Sequence, residues 1–254
     1  MTDTPTALRA SVDRLAALVG PLDDEAITGS AYPSAWTIAD VLSHLGSGAV
    51  ISARRIEDSL AGVDTPDDFN PSVWDEWNAK SPRAQVDDAL AADARLLELI
   101  GSTPVEDRAR FRTAFGPVEV DWDTFVAMRN NEHQLHEWDV DVALHPDAVL
   151  DADGAEAVLG GLAMIAGFAA RPEGDPRRIT VATTDGGHVA TVDVGADGVR
   201  YALDEGAGDD ADVTMPVESF VRLVYGRLDP DHTPDAVTGD AAALDQLRRV
   251  FPGF

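Results

Sequence analysis

Residues 128–143 read MRNNEHQLHEWDVDVA, and the spacing of Glu132 and His136 within them governs how the rest of the chain is read. At 3.6 residues per turn, side chains four apart leave one face of a helix a turn apart. A carboxylate and an imidazole stacked this way form half of a metal site, which needs at least one further ligand from elsewhere. Asp139 and Ala143 share that face, whereas His133 points about a quarter-turn away. The stretch sits inside a longer apolar-periodic segment, Trp122 to Leu144. His145-Pro146 ends it, because a residue before proline is pushed out of the helical region.

Three more long helices are predicted upstream. Thr4-Pro5 starts the first, with threonine as cap and proline suited to the first turn. Leu8, Val12, Leu15, Leu18 and Val19 follow at helical spacing, and Gly20-Pro21 stops the run. In the second, Thr37 and Asp40 form a variant capping box. An apolar stripe from Ile38 through Val41, Leu42, Leu45, Ala49 and Ile56 to Leu60 then carries the helix to Ala61, before Gly62. His44 lies on the edge of that stripe. Pro66 and Pro71 make the next segment loop-like, and Val73, Trp74 and Trp77 suggest a short helix closing over something. Ser81-Pro82 opens another helix, which Val86, Leu90, Ala94, Leu97 and Ile100 carry to Gly101. Arg110 to Val120 reads as irregular or weakly extended around Gly116-Pro117.

Four long amphipathic helices describe a helical bundle, an architecture that builds metal sites from side chains on facing helices. Asp151 to Ala170 reads as one further helix, apolar around most of its circumference, and the segment from Arg171 to Pro176 breaks it. The pattern changes character there, so the domain boundary is placed near residue 150, giving domains 1–150 and 151–254. Ile179 to Thr183 and Val189 to Val194 alternate and flank Asp185-Gly186-Gly187, a hairpin signal. Val199 to Leu203 and Asp212 to Met215 supply two more strands, Pro216 opens a helix through Tyr225, and Asp240 to Val250 forms a last one. The fold class is α+β: a four-helix bundle followed by a small antiparallel sheet covered by helices.

Composition narrows the chemistry. The 254 residues are enough for one large domain or two modest ones. With no cysteine, disulfides, thiolate ligands and a cysteine nucleophile are excluded, so any metal must use His, Asp or Glu. A net charge of −27 argues against binding nucleic acid or anionic membranes, since phosphate contacts need clustered Lys and Arg. The first ten residues lack the basic and apolar regions of a secretory signal. No run of about eighteen apolar residues predicts a membrane span, and a cytoplasmic location is expected.

If the Glu132 face meets the second helix at His44, two imidazoles and one carboxylate converge. Three protein ligands with one open position are the catalytic form of a zinc site, and Asp139 would orient an imidazole through its other ring nitrogen. The pattern alone leaves another reading open, in which the E-x-x-x-H pair is coincidental and His44 is a satisfied core histidine. Trp36 either lines the pocket or packs at a bundle end, and Trp74 and Trp77 allow the same two roles. Arg129 can reach the pocket rim, with a surface salt bridge as the alternative. His133, His145, His188 and His232 read as exposed or structural. Asp185-Gly186-Gly187 is a turn, because it lacks the lysine and following helix of a phosphate loop.

Residues 33–45, PSAWTIADVLSHL, resemble the P-x-W-T-v-x-d-v-l-x-H-l signature of the mycothiol-dependent maleylpyruvate isomerase family. Residues 132–139, EHQLHEWD, are similar to that family's second block, and Gly226-Arg227 and Gly239-Asp240 weakly match its C-terminal part. The resemblance implies a DinB-like four-helix bundle with a smaller C-terminal α/β domain. It further implies a divalent metal, usually zinc, on His44, Glu132 and His136, and mycothiol as cosubstrate. The implied activity is activation of that thiol as a thiolate that attacks a small electrophile; the partners are small molecules, and the chain is a monomer or homodimer. Arg227 is the candidate catalytic residue and substrate anchor, with Arg222 beside it. Because few arginines lie near the site in sequence and the chain is so acidic, thiol transfer is favoured over maleylpyruvate cis-trans isomerisation proper. A non-catalytic protein that binds metal or a small apolar ligand is the remaining alternative.

Overall fold

Thr4–Val19 forms helix α1 in the computed structural model, which describes residues 3–115, 118–206, 208 and 210–253. The side chain of Asp3, not Thr4, accepts the Thr6 N–H and caps α1; Thr4 and Pro5 already lie inside the first turn. A short 3-10 turn over Ala26–Thr28 leads to α2, Ile38–Ala61. Here the capping box forms as the sequence predicts: the Asp40 N–H donates to Thr37 Oγ1 at 3.1 Å and the Thr37 N–H to Asp40 Oδ2 at 2.9 Å. Gly62 closes α2 in the left-handed conformation (φ 70°), which glycine adopts without steric cost.

Helix α3 spans Phe69–Asn78, α4 Pro82–Ser102 and α5 Val105–Arg110. Strands β1 (Thr113–Phe115) and β2 (Val118–Val120) pair antiparallel. The predicted irregular centre at Gly116-Pro117 lies outside the described residues. Helix α6, Trp122–Leu144, opens on the Asp121 cap. The chain divides into two units, Thr2–Ala148 and Val149–Phe254. In the first, α2 packs on α4 and α1 on α6, and the α1–α4 and α2–α6 contacts complete the ring. Leu15, Leu42, Leu45, Ile56, Ala89 and Phe125 lie in their common core.

Gly46 is required by close packing. A Cβ there would lie 2.3 Å from the Trp77 ring and 2.8 Å from the Ala89 backbone. Helix α3 therefore lies tight against α2, two residues from His44. Gly46→Ala is expected to cost about 1–3 kcal/mol through overpacking, read as a lower midpoint in chemical denaturation, and Trp77→Phe in the same chain should recover part of it.

In the second unit, the predicted single helix from Asp151 to Ala170 is two helices, α7 (Ala152–Leu159) and α8 (Leu162–Ala169). They bend by 69° at Gly160-Gly161, where two residues without Cβ atoms weaken the helix interior. No single helix among the described residues is long and apolar enough to cross a membrane. Strands β3 (Arg177–Thr183), β4 (His188–Gly195), β5 (Gly198–Glu205), β6 (Val213–Met215) and β7 (Thr238–Gly239) form one sheet in the order β5-β4-β3-β6-β7. Gly186 and Gly187 both take positive φ in the β3–β4 turn, which explains the glycine pair there. The sheet is antiparallel at every pairing except β3–β6, which is parallel. Three residues of β6 hold too little alternation to reveal their partner or direction in the sequence. Helices α9 (Val217–Val224) and α10 (Ala241–Val250) complete this unit.

Candidate metal centre

The cap at Thr37 and the cap at Asp121 fix where α2 and α6 begin, and so which faces His44, Glu132 and His136 present. His44 Nε2 lies 3.0 Å from Glu132 Oε2, and His136 Nε2 lies 3.7 Å from the same oxygen. One ligand atom from each of the three residues falls within 4.8 Å of the others. Donors around a tetrahedral zinc at its usual bond lengths stand about 3.3 Å apart, so small rotamer adjustments convert this cluster into a coordination triad. The His44 and Glu132 side chains are 40% and 50% exposed and His136 is 12% exposed, leaving one side open to an incoming ligand. Two imidazoles and a carboxylate are a donor set that suits a divalent metal.

The second ring nitrogen of His136 is occupied. Nδ1 stands 2.7 Å from Asp139 Oδ2, and Asp139 is fully buried. With the proton held on Nδ1 toward the carboxylate, Nε2 faces Glu132 with its lone pair available. Trp36 stacks on the His136 ring (centroids 5.9 Å apart, planes at 22°) and also touches His44 at 5.3 Å. The imidazoles themselves meet edge to face at 4.7 Å. Trp36 therefore takes both roles open to it in the sequence, packing at the helix end while lining a cavity at the site. If the cluster holds a divalent metal, Asp139→Ala lowers its affinity about 10- to 100-fold, the usual effect of losing an orienting partner; competition with a chromogenic chelator measures it.

Desolvation in the cleft opposes the charged form of Glu132, but the His44 hydrogen bond, the charges that His136 and His44 carry when protonated, and Arg129 outweigh it and hold its pKa down at about 2. The site carboxylate is therefore ionised at neutral pH.

Arg129 is not at the surface. It is buried and ion-paired with Asp93 of α4, and its Nη2 donates to the Leu45 carbonyl of α2 at 2.9 Å. Asp93 also faces His133 Nε2 at 3.3 Å, while His133 Nδ1 meets Ser11 of α1 at 2.8 Å. Ser11 donates in turn to Glu137, which Arg14 grips with two nitrogens. This chain of polar groups ties all four long helices together one turn from the His44–Glu132–His136 cluster. Its partners sit on separate helices, so no local pattern in α6 announces that Arg129 faces inward.

Two cavities open on His44. One, of about 250 Å³, is lined by His44, Ile51, Arg55, Phe125, Met128 and Glu132, and Arg129 also borders it. The other, of about 510 Å³, lies toward the start of α2. Trp74 borders both and is 48% exposed, whereas Trp77 is buried in the core. Of the two tryptophans considered as a cover, only Trp74 stands at the site. One arginine not singled out in the sequence borders the site. Arg55, eleven positions after His44, reaches the same cavity because helical side chains lean toward the N-terminus. The i, i+4, i+7, i+8, i+11 series from His44 to Arg55 was the available signal.

Arg227 belongs to the C-terminal unit, where its Nη1 donates to the Tyr225 carbonyl at 3.1 Å. Arg222 is structural: it is buried, paired with Glu218, and donates to the His232 carbonyl at 2.9 Å. His133 is structural as described. His145, His188 and His232 pair with Asp141, Glu156 and Asp229 respectively.

Two solved structures resemble the chain over nearly its whole length. They are the crystal structure of the mycothiol-dependent maleylpyruvate isomerase and that of a mutant of the same protein. Each has a TM-score of 0.65 and 16% sequence identity, covering 94% of this chain and 95% of the other. At that identity the likeness is one of fold. No curated protein matches the chain. The family profile described as the mycothiol maleylpyruvate isomerase N-terminal domain matches residues 8–141, which contain all three clustered ligand atoms and Asp139. That match takes in more than half of the 254 residues, and the chain belongs to this mycothiol maleylpyruvate isomerase family.

Proposed function

We propose that His44, Glu132 and His136 bind one divalent metal ion, zinc by preference, and that the protein uses it to activate the thiol of mycothiol against a small electrophile. The observation that carries this reading is the convergence of three donor atoms from α2 and α6 within 4.8 Å, with one side open. A divalent metal, when bound there, lowers the pKa of a coordinated thiol so that it ionises near neutrality. The chain's own residues do the rest. Asp139 holds the His136 proton on Nδ1, Glu132 stays ionised, and the Trp36 ring keeps both imidazoles in place. The lack of cysteine agrees with a reactive sulfur that arrives with a cosubstrate.

A second reading, cis-trans isomerisation of maleylpyruvate itself, is favoured by one observation: Arg55 lines the cavity that holds His44 and Glu132. A guanidinium is suited to a carboxylate on the electrophile. The test has two stages. Purified protein should hold one metal per chain, and its cobalt-substituted form should change its visible spectrum on adding mycothiol. No spectral change would leave a metal-binding protein without thiol chemistry. Turnover is then assayed with maleylpyruvate against electrophiles that accept a thiol permanently.

A further inference from the structure

The sheet of the C-terminal unit ends in two unlike edges. Its β7 edge is only two residues long, Thr238–Gly239, and so short an edge offers little to pair with. The β5 edge, Gly198–Glu205, runs for eight residues and contains neither proline nor lysine. It keeps an unbroken register with β4, without a bulge. The Gly206 N–H donates to the Gly187 carbonyl at 2.9 Å, which sets the phase of the β4–β5 ladder. Alternation along the register turns the N–H and C=O of Arg200, Ala202 and Asp204 toward β4, and those of Val199, Tyr201, Leu203 and Glu205 outward. Among the described residues no strand pairs with that outer edge. Side chains alternate as well: Val199, Tyr201 and Leu203 are half-buried, whereas Arg200, Ala202 and Asp204 are exposed. Arg200 sits opposite Asp193 of β4, but Arg178 of β3 already grips that carboxylate with two nitrogens. Asp204 lies about 13 Å along the strand from Arg200, too far for the two to pair within one chain. Helix α8, which packs against β5, leaves Phe168 69% exposed, so the helix next to this strand also offers apolar surface.

We propose that this edge binds a second copy of the chain, β5 against β5 antiparallel, about a two-fold axis at Ala202. In that register Tyr201 faces Leu203 of the second copy and Val199 faces its Glu205. The outward groups of these four residues form about eight backbone hydrogen bonds across the join. Arg200 then stands directly opposite Asp204 of the second copy, at a non-hydrogen-bonded position where side chains approach most closely. Symmetry makes this contact twice, and the small Ala202 side chains meet at the axis without crowding. Moving the axis to Tyr201 or Leu203 keeps a ladder but parts the charges, so the charge pattern selects one register. Sedimentation velocity of the full chain over a concentration series is expected to show a monomer–dimer equilibrium. Arg200→Glu and Asp204→Arg each set like charges opposite one another twice and should raise the dimer dissociation constant at least about 5-fold. The two substitutions together exchange the charges and should restore it. The chain has no cysteine, so Ala202→Cys gives one sulfur per chain, and Cα atoms about 4.5 Å apart at the axis are within disulfide reach. Mild oxidation should link that variant into a dimer much faster than Ser102→Cys, at an exposed position on α4. The assignment is overturned by a chain that stays monomeric at every concentration, by a dimer that Arg200→Glu leaves intact, by a double variant no tighter than the single ones, or by equal cross-linking of the two cysteine variants.

Discussion

Replacing His136 with alanine is expected to abolish stoichiometric metal binding, with affinity falling more than about 100-fold. Removing only an orienting partner outside the coordination sphere costs 10- to 100-fold, and loss of a donor atom must exceed that. The effect should be larger than for a lone surface histidine because two things go together. The Nε2 donor 3.7 Å from Glu132 disappears, and Asp139 loses the imidazole it holds at 2.7 Å. His44→Ala should act similarly through the 3.0 Å contact to Glu132. Metal content after dialysis against a weak chelator, compared with wild type, measures both. Retention of one metal per chain in both variants would sink the proposed centre. The circular dichroism of each variant should stay close to wild type, since neither His44 nor His136 belongs to the apolar core shared by the helices.

The second large effect concerns folding. Asp93→Ala is expected to destabilise the protein by about 3–5 kcal/mol, the cost of leaving a buried partner charge uncompensated. Arg129 would keep its hydrogen bond to Leu45 but lose its carboxylate, and His133 would lose its Nε2 neighbour. For a chain of this size that corresponds to a melting point lower by roughly 10 °C. Replacing both charges, as in Asp93→Leu with Arg129→Met, should cost much less than the sum of the single variants, because no charge is then stranded.

The pH dependence follows from the same pair. Burial pushes the Asp93 carboxyl up, but Arg129 and His133 more than offset this, so its folded pKa lies below the usual carboxylate range. Its stabilisation is therefore present above the unfolded pKa of about 4 and is lost as pH falls through the lowered folded value. The stability gap between wild type and Asp93→Ala should narrow in that acid window and stay constant between about pH 5 and 7. A gap that widened on acidification would contradict the assignment.

Much of the secondary structure was readable because its causes are local. The α2 capping box uses two residues three apart, Gly62 needs only its own backbone, and Pro146 stops α6 by contact with its neighbour. Glu132 and His136 share a face by helical geometry alone, and Asp139 follows from the same count. Where the reading failed, the cause lay elsewhere in the fold. The helix from 151 to 170 splits because Gly160 and Gly161 allow a bend that apolar periodicity does not register. The β3–β6 pairing runs parallel because β6 is placed by what lies on either side of it. Arg129 turned out to be buried because its carboxylate sits on α4, 36 residues upstream.

By itself, the sequence determined the four long helices, the start of α2 and α6, four of the five strands of the C-terminal sheet and the shared helical face of Glu132, His136 and Asp139. These follow from propensity, capping and period, all set within a few residues. Only the tertiary structure decided that His44 comes within 3.0 Å of a carboxylate 88 positions away. It alone seated Trp36 on both imidazoles, brought Arg55 into the cavity with Glu132, and kept Trp74 at the site while Trp77 went to the core. Each of these depends on how α2, α3, α4 and α6 pack against one another. That packing is fixed by interhelical contacts such as Gly46 against Trp77 and Arg129 against Asp93, whose partners no local pattern can name.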